Sequence, residues 1–311
     1  MTLKAYQSLN NSFKKELVYK TGMSAGFFSE YNCMVLSMLY CLEHKIQFKL
    51  CSGATNFHLE GWNGFFLPFC EQVEDNSKHF KTCNWNYALK LIIRDGRFSN
   101  YRSLMPYLLW TKKRLKTQDV FGRSRSSHRA KKNYQIPGLG INGNIQEACS
   151  KLIEITWRYN EKTEKSIDEL KNSVNISGEY IGFHIRGGDK FIEHKVEPVE
   201  AYFDKVSYPN IRTAFVLTDD YSVIDYIHRS YPEWNIKTLC REEERGYFFN
   251  DFLSQPEEVR QQQHLRLFAS VDILSQSRQF IGTYSSNPGM YLGMRNAKIC
   301  TGVDYDTWVL R

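Results

Sequence analysis

Short apolar runs alternate with longer segments of helical periodicity from residue 145 to the end of the chain. The short runs are rich in β-branched and aromatic side chains and predict buried strands, whereas the longer segments repeat apolar positions at the spacing of an α-helix. The predicted strands are 180–185, 213–218, 236–239, 279–283 and 297–301. The predicted helices are 145–159, 166–174, 199–206, 223–230, 257–276 and 288–294. This alternation predicts a parallel sheet with helices on both faces.

The beginning of the chain carries a weaker version of the same pattern. A weakly signalled strand at 17–20 leads into a loop of small residues at 21–26, an apolar helix at 27–44 and a short strand at 46–51. Helix amino termini and the amides of small-residue loops attract phosphate, so the loop at 21–26 is a candidate anion site. The alternative is a plain tight turn before a core helix, because the glycines match no known phosphate-binding fingerprint.

Two further stretches complete the predicted organisation. Residues 52–110 are rich in Trp, Phe and Tyr and suggest an irregular, aromatic-lined lobe. A glycine-rich loop at 137–144 marks the change between the two parts of the chain. The expected architecture is therefore α/β, with two domains, residues 1–145 and 146–311, that face each other across a cleft.

The composition is that of a soluble globular protein, with 42% hydrophobic and 24% charged residues in a chain of 311. The amino terminus lacks the basic start and apolar core of a signal peptide, and the most apolar stretch, 34–42, is too short to span a bilayer. Eight cysteines occur without any C-x-x-C pair, which favours free thiols over a zinc site or a redox dithiol. We therefore expect a soluble, cytoplasmic protein.

The positive charge of the chain is concentrated in one segment. Nine Lys or Arg residues lie between Lys112 and Lys132 against one acidic residue, Asp119. A solvated, mobile loop is the first interpretation, because the segment shows no apolar periodicity. An anionic partner, either a membrane surface or a charged acceptor glycan, is the second. Nucleic acid is the third, because no recognition module and no aromatic stacking platform accompany the basic run.

The segment 180–190 carries the most informative chemistry. A predicted buried strand ends in His184-Ile-Arg-Gly-Gly-Asp-Lys190, where two glycines allow a sharp turn and a close approach to a ligand. Arg186 and Lys190 supply positive charge, and Asp189 supplies a carboxylate. Ligands of open α/β sheets bind just beyond the carboxyl ends of the strands, so this turn is expected to hold a phosphorylated substrate. The alternative is a turn whose charges are solvated or paired with one another.

Two other predicted strands end in similar polar turns. One is followed by Asp219 and Asp220, and the other by Tyr-Ser-Ser-Asn, which includes Ser285, Ser286 and Asn287. Hydroxyls and amides at the start of a helix also suit a phosphate. The alternative for these Asp and Ser residues is a helix amino cap. Three polar turns in one sheet would line a single rim, which favours a binding site.

These residues resemble the GDP-fucose-dependent fucosyltransferases. The similarity rests on the 184–190 motif, on Leu-Thr-Asp-Asp at 217–220, and on Leu-Ser-Gln at 274–276 followed by Phe-Ile-Gly-Thr-Tyr-Ser-Ser-Asn at 280–287. The chain is most similar to the α1,6-fucosyltransferases of N-glycan cores and Nod factors, and more distantly to the α1,2- and protein O-fucosyltransferases. The resemblance covers about residues 180–295 and extends more faintly to 22–50.

The resemblance implies a GT-B-like enzyme with two Rossmann-like domains that inverts the anomeric carbon and needs no metal or other cofactor. The first domain would face the acceptor glycan, and the second would bind GDP-fucose. Arg186 would neutralise the departing β-phosphate, and Ser286 and Asn287 would contact the phosphates. Gly26 and Phe27 would close over the diphosphate from the first domain. The residues expected to bind the donor are His184, Gly187, Lys190, Asp219, Asp220, Asp272, Ser285, Ser286, Asn287, Gly26 and Phe27.

The chain departs from the family pattern at the motif itself. The α1,6 enzymes carry a second arginine directly after the first, where this chain has Gly187, so the linkage cannot be transferred. The family's carboxylate base lies just beyond the motif lysine. Glu193 falls one residue short of that position, which His194 occupies, and Asp189 is a further candidate. We expect Glu193 to accept the proton of the acceptor hydroxyl.

A departure on a later helix leaves the nucleotide contacts open. The family's guanine-contacting acid is expected where this chain has Ser270, and Asp272 lies two residues away. Two alternative functions therefore remain beside fucosyl transfer. The protein could transfer a hexose from another GDP-sugar, or it could bind a nucleotide sugar or a protein partner without catalysis.

Overall fold

A computed structural model describes residues 2–23, 25–53, 55–80, 113–187 and 197–310. Several predicted residues lie outside these ranges: Asp189, Lys190, Glu193 and His194, together with most of the aromatic-rich stretch.

The first sheet is built around strand β1 (Lys15–Lys20). Its neighbours are β2 (Ile46–Cys51) on one side and β3 (Arg114–Lys116) on the other, and both pair with it in parallel. Helix α1 (Leu3–Asn11) precedes the sheet, and helix α2 (Phe27–Glu43) connects β1 to β2. Almost every residue of α2 is buried, because the helix is covered by the sheet on one side and by other helices on the rest. The elements predicted for this part are confirmed.

Five parallel strands form the second sheet, in the order β10-β9-β6-β7-β8. Their bounds are β6 Ile181–His184, β7 Thr213–Leu217, β8 Asn235–Lys237, β9 Gln279–Gly282 and β10 Cys300–Gly302. The central strand β6 and its neighbour β9 are buried at every position, as expected for strands with helices on both faces. The predicted α/β class and the parallel sheet are therefore confirmed.

The remaining elements connect and cover the sheets. The helices are α3 Thr117–Ser124, α4 Ile145–Thr156, α5 Glu161–Val174, α6 Val199–Phe203, α7 Tyr221–Ser230, α8 Phe249–Ser254, α9 Glu257–Ser275 and α10 Asn287–Arg295. A small antiparallel hairpin of β4 (Tyr134–Ile136) and β5 (Ile141–Gly143) precedes α4.

Four predicted boundaries were wrong by three to five residues. The helices predicted at 145–159 and 199–206 end earlier, at Thr156 and Phe203. Helix α5 begins at Glu161, five residues before the predicted start at 166, because the Asn160 side chain caps it by accepting a hydrogen bond of 2.9 Å from the Thr163 amide. Strand β10 begins at Cys300 and not at 297, because residues Ala297–Ile299 form a 3-10 turn.

Helix α4 lies at the junction between the two sheets. The Gln146 side chain donates a hydrogen bond of 2.7 Å to the Gly293 carbonyl of α10, and Ser150 donates one of 2.9 Å to the Arg295 carbonyl. At the other end of α4, the Thr156 hydroxyl lies 2.6 Å from the hydroxyl of Tyr31 in α2. One helix thus contacts both halves of the chain, and the domain boundary near residue 145 stays a prediction.

The basic run was expected to be a mobile loop, and this expectation is wrong for its described part, 113–132. The segment contains β3, α3 and a 3-10 turn at Ser127–Lys131. The Arg129 side chain is only 2% exposed and forms an ion pair of 2.7 Å with Glu43. Its guanidinium also lies over the rings of Tyr40 and Tyr134. The partner of Arg129, Glu43 at the end of α2, is distant in the sequence. The contact therefore produces no hydrophobic periodicity within the basic segment.

The described cysteines are free thiols: Cys33, Cys41, Cys51, Cys70, Cys149, Cys240 and Cys300. Four of them are buried, which suits a small apolar side chain. Within the described part of the chain, no helix combines the length and apolar character needed to cross a membrane.

The buried imidazole of His264 predicts a stability that depends on pH. It lies among Phe27, Phe65 and Phe268, and burial lowers its pKa to about 4. The unfolded chain takes up this proton near pH 6.5, whereas the folded protein stays unprotonated down to about pH 4. Stability must therefore fall as the pH drops through this window, by about 3 kcal/mol for this group.

The His264→Phe variant should lose this part of the acid sensitivity. Urea unfolding at several pH values between about 6.5 and 4 measures the effect. The exposed His228→Gln variant serves as the control and should keep the wild-type slope. An unchanged slope in His264→Phe would show that the imidazole is not held neutral by burial.

Candidate functional site

Three strand ends of the second sheet meet at one edge. The register pairs His184, the last residue of β6, with Leu217 at the end of β7 and with Gly282 at the end of β9. The turns that follow these strands therefore lie side by side. The predicted rim formed by the motif at 184–187, by Asp219 and Asp220, and by the turn at 283–287 is present in the described residues.

The Asp219 carboxylate ties three parts of this rim together. Its Oδ1 accepts a hydrogen bond of 2.7 Å from the Gly187 amide, and its Oδ2 accepts one of 3.1 Å from the Tyr247 amide. The Nε of Arg186 lies 3.9 Å from Oδ2, and both side chains are 19% exposed. Burial raises the pKa of the Asp219 carboxyl, although the amide hydrogen bonds and the Arg186 charge act in the opposite direction. Asp219 thus orients Arg186 at the end of the central strand.

Asp220 caps the following helix, which is the role considered for Asp219. Its Oδ1 accepts a hydrogen bond of 2.9 Å from the Ser222 amide at the start of α7. Asp220 also crowds Gly187, since a Cβ atom at residue 187 would lie 3.2 Å from the Asp220 Cβ. The position that carries a second arginine in the α1,6 enzymes is therefore sterically tight here, and any side chain would require a local shift.

His184 and Ser286 meet below the surface of the rim. His184 is 4% exposed, and its Nδ1 lies 3.3 Å from the Ser286 Oγ. The Ser286 hydroxyl donates to the Thr283 carbonyl at 2.7 Å and accepts from the Gly289 amide at 3.1 Å. Ser286 is therefore the amino cap of α10, and its hydroxyl both donates and accepts a hydrogen bond within the protein. Asn287 begins α10 and is half-buried.

Asp304 is a residue of this rim that the sequence did not indicate. Its Oδ1 accepts the Tyr284 amide at 2.8 Å, and its Oδ2 accepts the Ser285 amide at 2.9 Å. Two amides that were expected to be available for phosphate are thus bound by an internal carboxylate. Asp304 follows β10, and nothing in its local sequence marks the contact with a turn about twenty residues earlier.

The loop at 21–26 is likewise bound to a carboxylate of the protein. The Glu30 side chain in the first turn of α2 accepts hydrogen bonds from the Met23 amide at 3.0 and 3.1 Å and from the Ala25 amide at 3.1 Å. These amides already donate to an anionic side chain, the buried carboxylate of Glu30. The expectation of a phosphate site at the Met23 and Ala25 amides is therefore corrected.

Gly26 nevertheless lies next to the rim of the second sheet. A Cβ atom at residue 26 would stand 4.0 Å from the hydroxyl of Tyr247, whose amide is bound by Asp219. Nearby, the Asn32 side chain of α2 donates a hydrogen bond of 2.9 Å to the Asn287 carbonyl. The structure thus places Gly26 beside Tyr247, which the sequence did not indicate, and the contact of Gly26 with the donor stays a prediction.

Phe27 does not face the cleft. Its side chain is 5% exposed and packs in the aromatic core, with ring centroids 4.7 Å from Phe268, 5.3 Å from Phe57 and 5.4 Å from Phe28. The side chain of Phe27 therefore belongs to the core, and only its backbone at the start of α2 is left for the predicted contact with the diphosphate. An aromatic residue at the start of an apolar helix shows the same local sequence pattern whether its side chain packs in the core or contacts a ligand.

Asp272 is engaged in the core and not at the rim. Its carboxylate accepts hydrogen bonds of 3.0 Å from the Trp157 indole and 3.0 Å from the Tyr159 hydroxyl, and it forms an ion pair with Arg295. Ser270, at the position expected for a guanine-contacting acid, is buried and donates to the Arg266 carbonyl at 2.7 Å. The structure therefore assigns Asp272 to the packing between α9, α10 and the segment after α4.

No group of three or more His, Cys, Asp or Glu side chains in the described ranges is arranged to hold a metal ion.

Comparisons with known proteins identify the fold. No protein-family model and no curated protein matches the chain. The crystal structure of NodZ α1,6-fucosyltransferase soaked with GDP-fucose matches with a TM-score of 0.54 at 13% identity, over 90% of this chain and 92% of that chain. Fucosyltransferase NodZ from Bradyrhizobium matches with a TM-score of 0.53 at 12% identity, over 90% and 92% of the two chains.

A plant enzyme gives a third match. A mutant of Arabidopsis thaliana FUT1 in complex with GDP has a TM-score of 0.51 at 12% identity, over 94% of this chain and 72% of that chain. At these identities the similarity is one of fold. The chain therefore has the GT-B fold of the GDP-fucose fucosyltransferases, which the motifs between residues 180 and 295 predicted.

Proposed function

We propose that the protein is a glycosyltransferase that moves fucose from GDP-fucose to a hydroxyl of a glycan. One observation carries the proposal: Arg186 stands at the end of the central strand, oriented by Asp219, in a fold shared with an enzyme soaked with GDP-fucose. Gly26 lies beside the hydroxyl of Tyr247, whose amide is bound by Asp219. Ligands of open α/β sheets bind just beyond the carboxyl ends of the strands, which supports this role for Arg186.

The proposed reaction is a direct displacement with inversion. The acceptor oxygen attacks the anomeric carbon, the bond from that carbon to the β-phosphate oxygen breaks, and GDP leaves with the bonding electrons. Negative charge grows on the diphosphate, and a guanidinium that is already oriented stabilises it most in the transition state. Arg186 serves this role in our proposal, and Lys190 lies in the same motif.

The acceptor proton requires a base. We propose Glu193, with His194 and Asp189 as the alternatives, because these residues follow Arg186 in the motif segment. Each of them would reach the acceptor only if the segment after Gly187 borders the cleft. The variants Glu193→Gln, His194→Gln and Asp189→Asn separate the three candidates when the pH dependence of turnover is measured for each.

The function is tested with the purified protein, GDP-fucose and a panel of glycan acceptors. Release of GDP that depends on the acceptor, with fucose recovered in the product, is the expected result. GDP-mannose and GDP-rhamnose compete in the same assay and identify the sugar that the site prefers. Tight GDP binding without release under any acceptor would favour a binding module and contradict the proposal.

Arg186→Ala should lower kcat by about 100- to 1000-fold, because the side chain stabilises the departing diphosphate. The side chain is only partly buried and does not belong to the core, so the melting temperature should change little. Arg229→Ala, an exposed arginine on α7, is the control and should keep wild-type turnover. A near-normal rate for Arg186→Ala would end the assignment of this residue.

Asp219→Asn should lower kcat by about tenfold or more, because the amide removes the charge beside Arg186 and cannot accept from both backbone amides. Asp168→Asn, an exposed change on α5 with the same loss of charge, should leave turnover unchanged. Equal activity of both variants would show that Arg186 is oriented without Asp219.

Removal of divalent metal should leave turnover nearly unchanged. A guanidinium at the leaving group can supply the positive charge that Mg²⁺ provides in other transferases. The measurement compares initial rates with EDTA and with added Mn²⁺. Loss of activity in EDTA that Mn²⁺ restores would contradict metal-independent transfer.

A further inference from the structure

The start of the first sheet gathers positive charge from separate parts of the chain. Strands β1, β2 and β3 are parallel, with Lys15 paired with Ile46 and Glu16 paired with Arg114. The residues just before and at the strand starts are therefore neighbours on one edge. We name this surface the basic edge and define it by Lys14, Lys15, Lys45, Lys113, Arg114 and Arg123.

The ends of two helices extend the basic edge. Helix α2 ends at Glu43, one residue before His44 and two before Lys45. The Ser37 hydroxyl in α2 lies 3.2 Å from that of Ser124 at the end of α3, so the neighbouring Arg123 lies beside the last turns of α2.

Acidic residues do not neutralise the basic edge. Glu43 already pairs with Arg129 and Lys132, and Glu16 pairs with Lys49 at 2.9 Å. Within the described ranges no ion pair involves any of the six side chains of the basic edge. Each is exposed or half-buried. The six side chains therefore give this surface an excess of positive charge.

The basic edge is separate from the candidate donor site. Strand β1 runs from the basic edge at Lys15 to Lys20, which leads into the loop that ends at Gly26. A strand of this length spans about 16 Å between its first and last residues. The basic edge is therefore too far from the cleft to hold the one sugar that receives fucose.

We propose that the basic edge binds the surface of a membrane that contains anionic lipids. Four of its six side chains are lysines, which act as point charges and suit a diffuse negative surface better than a fork-shaped phosphate contact. The exposed large hydrophobic side chains of the described chain, such as Leu59, Phe248 and Tyr305, lie on other segments. A stacking surface for nucleic acid bases is thus absent from the described edge.

The test is sedimentation of the full-length protein with lipid vesicles. Vesicles of phosphatidylcholine with about 30% phosphatidylserine should bind the protein, and vesicles of phosphatidylcholine alone should not. Binding should weaken as NaCl rises from about 0.05 to about 0.5 M, because the charges are screened. The combined variant Lys14→Gln, Lys45→Gln and Lys113→Gln should bind about 100-fold more weakly, at about fivefold for each lysine.

A matched variant separates position from net charge. Lys162→Gln, Lys165→Gln and Lys298→Gln remove the same charge from exposed positions elsewhere and should keep wild-type binding. Both triple variants should keep donor turnover and the melting temperature. The inference is overturned if anionic vesicles do not bind the protein, if both variants lose binding equally, or if a DNA duplex or heparin binds more tightly than the vesicles at the same salt concentration.

Discussion

The two oxygens of one carboxylate determine the shape of the donor edge. Asp219 accepts the amides of Gly187 and Tyr247 and lies beside Arg186, so two turns and one cation share a single anchor. A partly buried carboxylate is stable in this position because amides and a guanidinium surround it. The Asp219 carbonyl also accepts a hydrogen bond of 2.7 Å from the Gly246 amide, so the backbone and the side chain of Asp219 together hold the segment before α8. Arg186, on which the proposed chemistry rests, lies beside this carboxylate.

The second sheet could be predicted from the sequence because its strands are short, apolar and separated by helices of ordinary length. The parallel arrangement then required that polar residues after β6, β7 and β9 meet at one edge, as they do. The motif at 184–187 and its neighbours Asp219 and Asp220 were found for this reason. At these positions the local sequence and the topology of the sheet predict the same location for the residues.

Other features depend on contacts between distant segments and could not be predicted. Phe27 and Asp272 were assigned to the site from the family resemblance, and the local sequence around an apolar or acidic residue does not distinguish a core position from a pocket. Only the packing of Phe27 on Phe268, and of Asp272 on Arg295 and Trp157, distinguishes the two. The basic run was mistaken for a mobile loop in the same way, because its anchor, Glu43, lies far away in sequence.

The internal carboxylates of Glu30 and Asp304 have a consequence for genetic screens of this protein. Each holds two backbone amides of a loop at the cleft in place. A substitution at either residue would loosen a loop beside the cleft and reduce activity without altering any atom that meets the substrates. A screen scored by activity alone would therefore count both residues as ligands of the donor. A parallel selection for folded protein would identify Glu30 and Asp304 as structural residues, because loosening these loops also lowers the amount of folded protein.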